Sequence, residues 1–115
     1  MDAGRALADL VEISPQIEAA AIVTGEAGLA GSVGVPDARA SVLTRSVREL
    51  LEGAAAFRSD AGRVTQLHAE LAGGDVFAVS DADDRTVVAV TAGRVSPGLV
   101  FYDLKRCLSA MADET

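Results

Sequence analysis

The sequence predicts an α+β sandwich with the element order α-β-β-α-β-β-β-α. Three observations predict it. Two apolar stretches, Ala19-Ala20-Ala21-Ile22-Val23 and Thr86-Val87-Val88-Ala89-Val90-Thr91, run without polar alternation, as strands buried on both faces do. Short Gly- and Asp-rich turns join neighbouring strands, which demands antiparallel pairing. A long stretch, 36–58, carries apolar residues at helical spacing, and the helices must cover at least one face of the sheet.

The first helix spans residues 3–13, with Leu7, Leu10 and Val11 on one side. Asp2 stands where an N-cap would, and Ser14-Pro15 ends the helix because the residue before proline avoids the α region. Glu18 to Gly34 then reads as strand, tight turn and strand, with Gly25-Glu26-Ala27-Gly28 as the turn. Leu29 and Val33 are expected on one face of the returning strand, with Gly31 between them.

Pro36 or Asp37 opens the long helix, as N1 or cap. Its predicted apolar stripe is Ala40, Leu43, Val47, Leu50, Ala54 and Phe57. The opposite face carries Ser41, Arg45, Arg48, Glu49, Glu52 and Ala56, with Arg45/Glu49 and Arg48/Glu52 at i,i+4. Gly53 costs about 1 kcal/mol relative to Ala inside a helix, a cost that close approach of another surface would explain.

Ser59 to Gly62 is a loop. Val64 to Leu71 alternates, with Thr65, Leu67, Ala69 and Leu71 on one side and Gln66, His68 and Glu70 on the other, as in a half-exposed edge strand. Ala72-Gly73-Gly74-Asp75 turns the chain into the strand Val76 to Ser80, and Asp81 to Arg85 turns it into the second doubly buried strand. Ser96-Pro97 supplies N-cap and N1 of a last helix. Val100, Phe101, Leu104, Leu108 and Met111 form its apolar side, while Tyr102, Asp103, Lys105 and Arg106 face away and 113–115 fray.

A chain of 115 residues suits one domain, 1–115, with a single core. Half of the residues are hydrophobic but only 3% are aromatic, so the core is aliphatic. The net charge of −7 argues against a general nucleic-acid surface, which needs a basic patch. One cysteine, Cys107, rules out an internal disulfide framework and fits a reducing, cytoplasmic compartment. Charged residues interrupt the N-terminus as a signal peptide, and no apolar run is long enough for a membrane span. Nine arginines against one lysine, with abundant alanine, point to a GC-rich bacterial genome.

No motif of enzyme chemistry emerges. The Gly25 to Gly28 turn lacks the Gly-Lys-Ser/Thr of a phosphate loop and precedes a strand. Asp81, Asp83 and Asp84 lack the glycine and downstream glutamate of a calcium loop. His68, on the exposed face of its strand, reads as a surface or interface residue, and Cys107 as a half-buried packing thiol. With one His and one Cys, a zinc site would need several carboxylates, an uncommon donor set, so no cofactor is expected. The surfaces that remain are the polar face of the long helix, where Gly53, Ala55 and Ala56 present little side chain, and the exposed edge strand.

These features resemble the roadblock / dynein-light-chain domain. The resemblance runs from about Leu7 to Met111. Ala19 to Ala30 looks like that family's strand, acidic turn, glycine and strand, and helix 36–58, the strand from Val64, the Gly73-Gly74 turn and the Val87 to Val90 strand follow in order. Ser96-Pro97-Gly98-Leu99-Val100 looks like the entry to the family's last helix, where Asn commonly stands at the position of Ser96 or Pro97. The resemblance implies a five-stranded antiparallel sheet of profilin-like type with helices on both faces. It also implies a homodimer that pairs long helices and edge strands, and a non-catalytic role in regulating or scaffolding a Ras-like small GTPase, in some members by stimulating hydrolysis. The residues expected at the dimer or partner interface are Ser41, Arg45, Arg48, Glu49, Glu52, Gly53, Ala56, Gln66, His68 and Glu70. Two alternatives stand beside this reading: an adaptor tethering a sensor kinase or motor component whatever the nucleotide state, and a small-ligand-binding domain.

Overall fold

The computed structural model describes residues 2–25, 28–56 and 65–112. The elements are α1 (Ala3–Ile13), β1 (Ile17–Thr24), β2 (Gly28–Val33), α2 (Asp37–Ala55), β3 (Gln66–Leu71), β4 (Gly74–Ser80), β5 (Arg85–Thr91) and α3 (Pro97–Ala112). All five strands pair antiparallel in one sheet, in the order β2-β1-β5-β4-β3. The two continuous apolar runs are the inner strands, as their composition requires: Ala20 to Val23 of β1 and Thr86 to Ala89 of β5 are at most 4% exposed.

Helices cover both faces. Asp2 caps α1 by accepting from the Arg5 backbone N–H at 2.8 Å, and Ser14 closes it by donating to the Leu10 carbonyl. α1 and α3 lie on one face, where Leu7, Leu10, Val100, Leu104 and Leu108 pack on Ala20, Ile22, Phe77, Val79, Val87 and Ala89. α2 lies alone on the other, with Val47 and Leu51 on Ala78 and Val88. Pro36 is its N-cap residue in an extended conformation, and Asp37 is its first helical residue. Ser32 Oγ donates to the Asp37 carboxylate at 2.6 Å, tying the helix start to β2.

Two glycines are forced by close backbone approach. A Cβ at Gly34 would overlap the Glu18 carbonyl oxygen, and one at Gly74 would overlap that of Thr91. Both lie at positive φ, +75° and +151°.

Three expectations are corrected. Leu29 and Val33 lie on opposite faces. β2 carries a bulge in which pairing steps from Ile22–Gly31 to Val23–Leu29, skipping Ala30, so every side chain before it changes side. Leu50 is not in the buried stripe of α2: it is 55% exposed, and the stripe runs Ala40, Thr44, Val47 and Leu51. Thr44 can occupy it because its hydroxyl donates to the Ala40 carbonyl at 2.9 Å. Asp103 does not face away from the core: it is 8% exposed and accepts from Ser14 Oγ at 2.7 Å, joining α3 to the end of α1. The strand expected from Val64 is described only from Gln66, and the loop 59–62 and the stripe residue Phe57 lie outside the described residues.

The Ser14–Asp103 bond supplies a direct test. Asp103→Ala leaves the buried Ser14 hydroxyl without its acceptor, and we expect about 1–3 kcal/mol of lost stability. Urea unfolding of the variant, read from the midpoint at unchanged slope, measures it. A midpoint equal to wild type would mean that water replaces Asp103 without cost.

Candidate functional site

The face of the sheet covered by α2 is the open one, because a single helix cannot span five strands. The α2 backbone lies closest to β1 and β2 and its inward side chains reach β4 and β5, leaving the β3 end of that face with less cover. Its two flanks therefore differ.

The flank toward β2 is polar and engaged. Ser41, Arg45, Arg48, Glu49 and Glu52 border a shallow groove whose floor is Val23, Gly28 and Leu29. Arg48 donates to the Gly25 carbonyl at 2.6 Å and lies 3.6 Å from the Asp84 carboxylate. One guanidinium thus ties the helix to the β1–β2 and β4–β5 turns. Neither expected i,i+4 pair closes to ion-pair distance among the described residues; Arg48 turns to those turns instead.

The flank toward β3 is apolar and open. Leu43, Leu67 of β3 and Val76 of β4 each pack against the buried cluster of Val47, Leu51, Ala78 and Val88. Val42, Ser46, Leu50 and Gly53 continue outward at helical spacing, all exposed, with Val42 at 58% and Leu50 at 55%. A Cβ built on Gly53 would meet nothing within 4 Å. On β3 the same side presents Leu67, Ala69 and the 62%-exposed Leu71. Large apolar side chains this exposed on the helix and on the strand are candidates for an interaction surface.

β3 is also the accessible edge. β2, at the other end of the sheet, is bulged and lies against both α1 and α2, devices that block strand addition. β3 runs straight in register with β4 from Gln66–Val79 to Leu71–Gly74, and among the described residues no strand pairs with its outer edge.

The expected interface residues divide accordingly. Ser41, Arg45, Arg48, Glu49 and Glu52 sit on the β2 flank, Gly53 on the β3 flank, and Ala56 is exposed at the C-cap. Gln66 and Glu70 are exposed on the edge strand. His68 is corrected in part: it is half-buried on that same face, because Phe77 of β4 and Phe101 of α3 flank its ring. The imidazole stacks on Phe77 at 4.3 Å between centroids, meets the edge of Phe101 at 6.4 Å, and lies 2.9 Å from the Asp75 carboxylate. The expectation for Cys107 is sharpened. It is 5% exposed, and burial, with the nearby Asp9 charge, pushes its thiol up to about 11. It stays protonated at neutral pH and is a poor nucleophile.

Sequence reasoning missed Val42, Leu50 and Leu71 as surface residues. The signal was there in part: Val42 breaks the predicted stripe, and an apolar residue off the stripe must face solvent or a partner.

No family model matches the chain, and no curated protein does. Solved structures do. A roadblock/LC7 domain from Streptomyces avermitilis superposes with a TM-score of 0.85 at 15% identity, covering 98% of this chain and 97% of that one. Myxococcus xanthus MglB superposes at 0.71 and 16% identity, covering 96% of this chain and 82% of that one. A structure described as MglB with tetrameric arrangement superposes at 0.70 and 17%, covering 95% and 86%. The fold of this chain is the roadblock fold.

Proposed function

We propose that this roadblock-fold chain works as a homodimeric regulator or scaffold of a Ras-like small GTPase. The observation that carries the reading is the full-length likeness to roadblock/LC7 and MglB structures, one of them in a tetrameric arrangement. The exposed apolar flank of α2 and the free β3 edge support the homodimer. A second copy related by a twofold axis would lay its α2 along Val42, Leu50 and Gly53 and extend the sheet through β3. The groove along Ser41, Arg45, Glu49 and Glu52 would then stay free for the GTPase.

In this reading the chain acts by binding and holding the switch segments of its partner, not by chemistry of its own. The protonated, buried Cys107 and a His68 held between aromatic rings fit that division of labour. No helix among the described residues is long and apolar enough to cross a membrane, which fits a cytoplasmic partner.

The test is capture from a lysate of the source cell with the tagged protein, in GDP and in a non-hydrolysable GTP analogue. We expect a GTPase of roughly 20 kDa, the size of a single nucleotide-binding domain, retained mainly in one nucleotide state. Retention of a kinase or motor component equally in both states would replace the regulator with the adaptor reading.

A further inference from the structure

We propose that His68, Glu70 and Asp75 form a binding site for one zinc-class divalent cation per chain, because the β3–β4 hairpin gathers an imidazole and two carboxylates within 4.8 Å of one another. The three residues come from both arms of one hairpin. Glu70 and Asp75 are direct cross-strand partners, and His68 lies two residues before Glu70 on the same face of β3. Two residues, Ala72 and Gly73, join the arms, so the relative positions of the ligands are fixed by the backbone ladder.

The donor set selects the ion class. Imidazole nitrogen with carboxylate oxygen suits zinc and its first-row neighbours, whereas magnesium and calcium take oxygen alone. His68 is already placed as a ligand. Stacking on Phe77, 8° from parallel, and the edge contact to Phe101 hold the ring, and its Nε2 points at Asp75 Oδ2, 2.9 Å away. Two donors each about 2.1 Å from one tetrahedral ion stand roughly 3.4 Å apart, so this pair needs to open by only about half an ångström to admit the ion. Glu70 is exposed and can swing its carboxylate inward to complete three protein ligands, with water filling the remaining positions.

Charge favours an occupant. Two like-charged side chains directly opposite each other across a ladder repel, and a cation between Glu70 and Asp75 removes that repulsion. Arg94 shares a hollow with Glu70 and Asp75, yet among the described residues it comes within ion-pair distance of neither carboxylate. The site is complete within one chain and independent of the GTPase reading.

His68 is the only histidine of the chain, so its ring protons report unambiguously. The experiment adds ZnCl2 to the chelator-treated, desalted full chain, followed by calorimetry and by proton NMR of the imidazole. We expect one zinc per chain and a selective shift of the His68 ring, with no shift when MgCl2 is added instead. Loss of even an outer-shell partner weakens metal sites roughly 10–100-fold, so Glu70→Gln should weaken zinc at least tenfold. This variant keeps the fold, since Glu70 is exposed, and circular dichroism checks it. Zinc that leaves the His68 ring unmoved, or that binds Glu70→Gln as tightly as the wild type, would overturn the site.

Discussion

Phe77→Ala is expected to remove about 3–5 kcal/mol of stability, the largest loss from any single core truncation of this chain. Phe77 is the largest fully buried side chain, at 0% exposure in the middle of β4. It lies among the side chains that join α1 and α3 to the sheet, including Ile22, Val87 and Leu104. One face of its ring carries the His68 imidazole, and the Phe101 ring meets it nearly at right angles, 5.3 Å between centroids. Such aromatic contacts add roughly 0.5–1.5 kcal/mol each beyond burial. Since domains of this kind are stable by only about 5–15 kcal/mol, the variant should unfold at far lower urea than wild type. Phe77→Leu, which keeps most of the volume, should lose distinctly less. A loss below about 1 kcal/mol for the alanine variant would mean that β4 does not point this side chain into the core.

Leu50→Asp is expected to dissociate the proposed dimer while leaving the monomer folded. Leu50 is 55% exposed in the single chain, so a polar residue there costs the monomer little. In the proposed dimer it is covered. Burying a leucine is worth roughly 1.5–3 kcal/mol, and a twofold axis counts the loss twice. With 1.4 kcal/mol per tenfold, the dissociation constant should rise a hundredfold or more, before the cost of burying the aspartate is added. Light scattering after size exclusion should give about twice the 11.7 kDa chain mass for wild type and a single-chain mass for the variant. Arg45→Glu, on the β2 flank, should leave the mass doubled. The opposite pattern, with Arg45→Glu monomeric and Leu50→Asp dimeric, would move the interface to the polar flank. A single-chain mass for the wild type would remove the homodimer altogether.

The two flanks of α2 show how far a sequence can be read. Ala40, Val47 and the general direction of the stripe were legible. Its rotation was not, because two sets fit helical spacing almost equally: Leu43 with Leu50, or Thr44 with Leu51. Hydropathy favours the first set. The structure takes the second on its buried line, because Thr44 hides its hydroxyl in the helix backbone and Leu50 is left for the surface. The expected interface residues were therefore drawn mostly from the flank that engages β2. His68 fails in a related way. Alternation correctly put Gln66, His68 and Glu70 on one side, but it cannot say which of them a side chain from another element, here Phe101, will cover. Asp103 was assigned to solvent by polarity alone; its partner Ser14 lies 89 residues away in sequence.

What the sequence by itself determined are the properties that local chemistry sets. These are the order of elements, the two inner strands with their uninterrupted apolar runs, the N-cap at Asp2, the start of the last helix at Pro97, and the edge position of the strand ending at Leu71. The tertiary structure alone decided which face each ambiguous residue takes. The bulge at Ala30 reverses Leu29 relative to Val33, the seating of α2 exposes Leu50, and the hairpin register brings His68, Glu70 and Asp75 together. The physical reason is common to all three. Periodicity fixes a side chain only relative to its neighbours in the same element, whereas exposure and ligation depend on which other element lies against it.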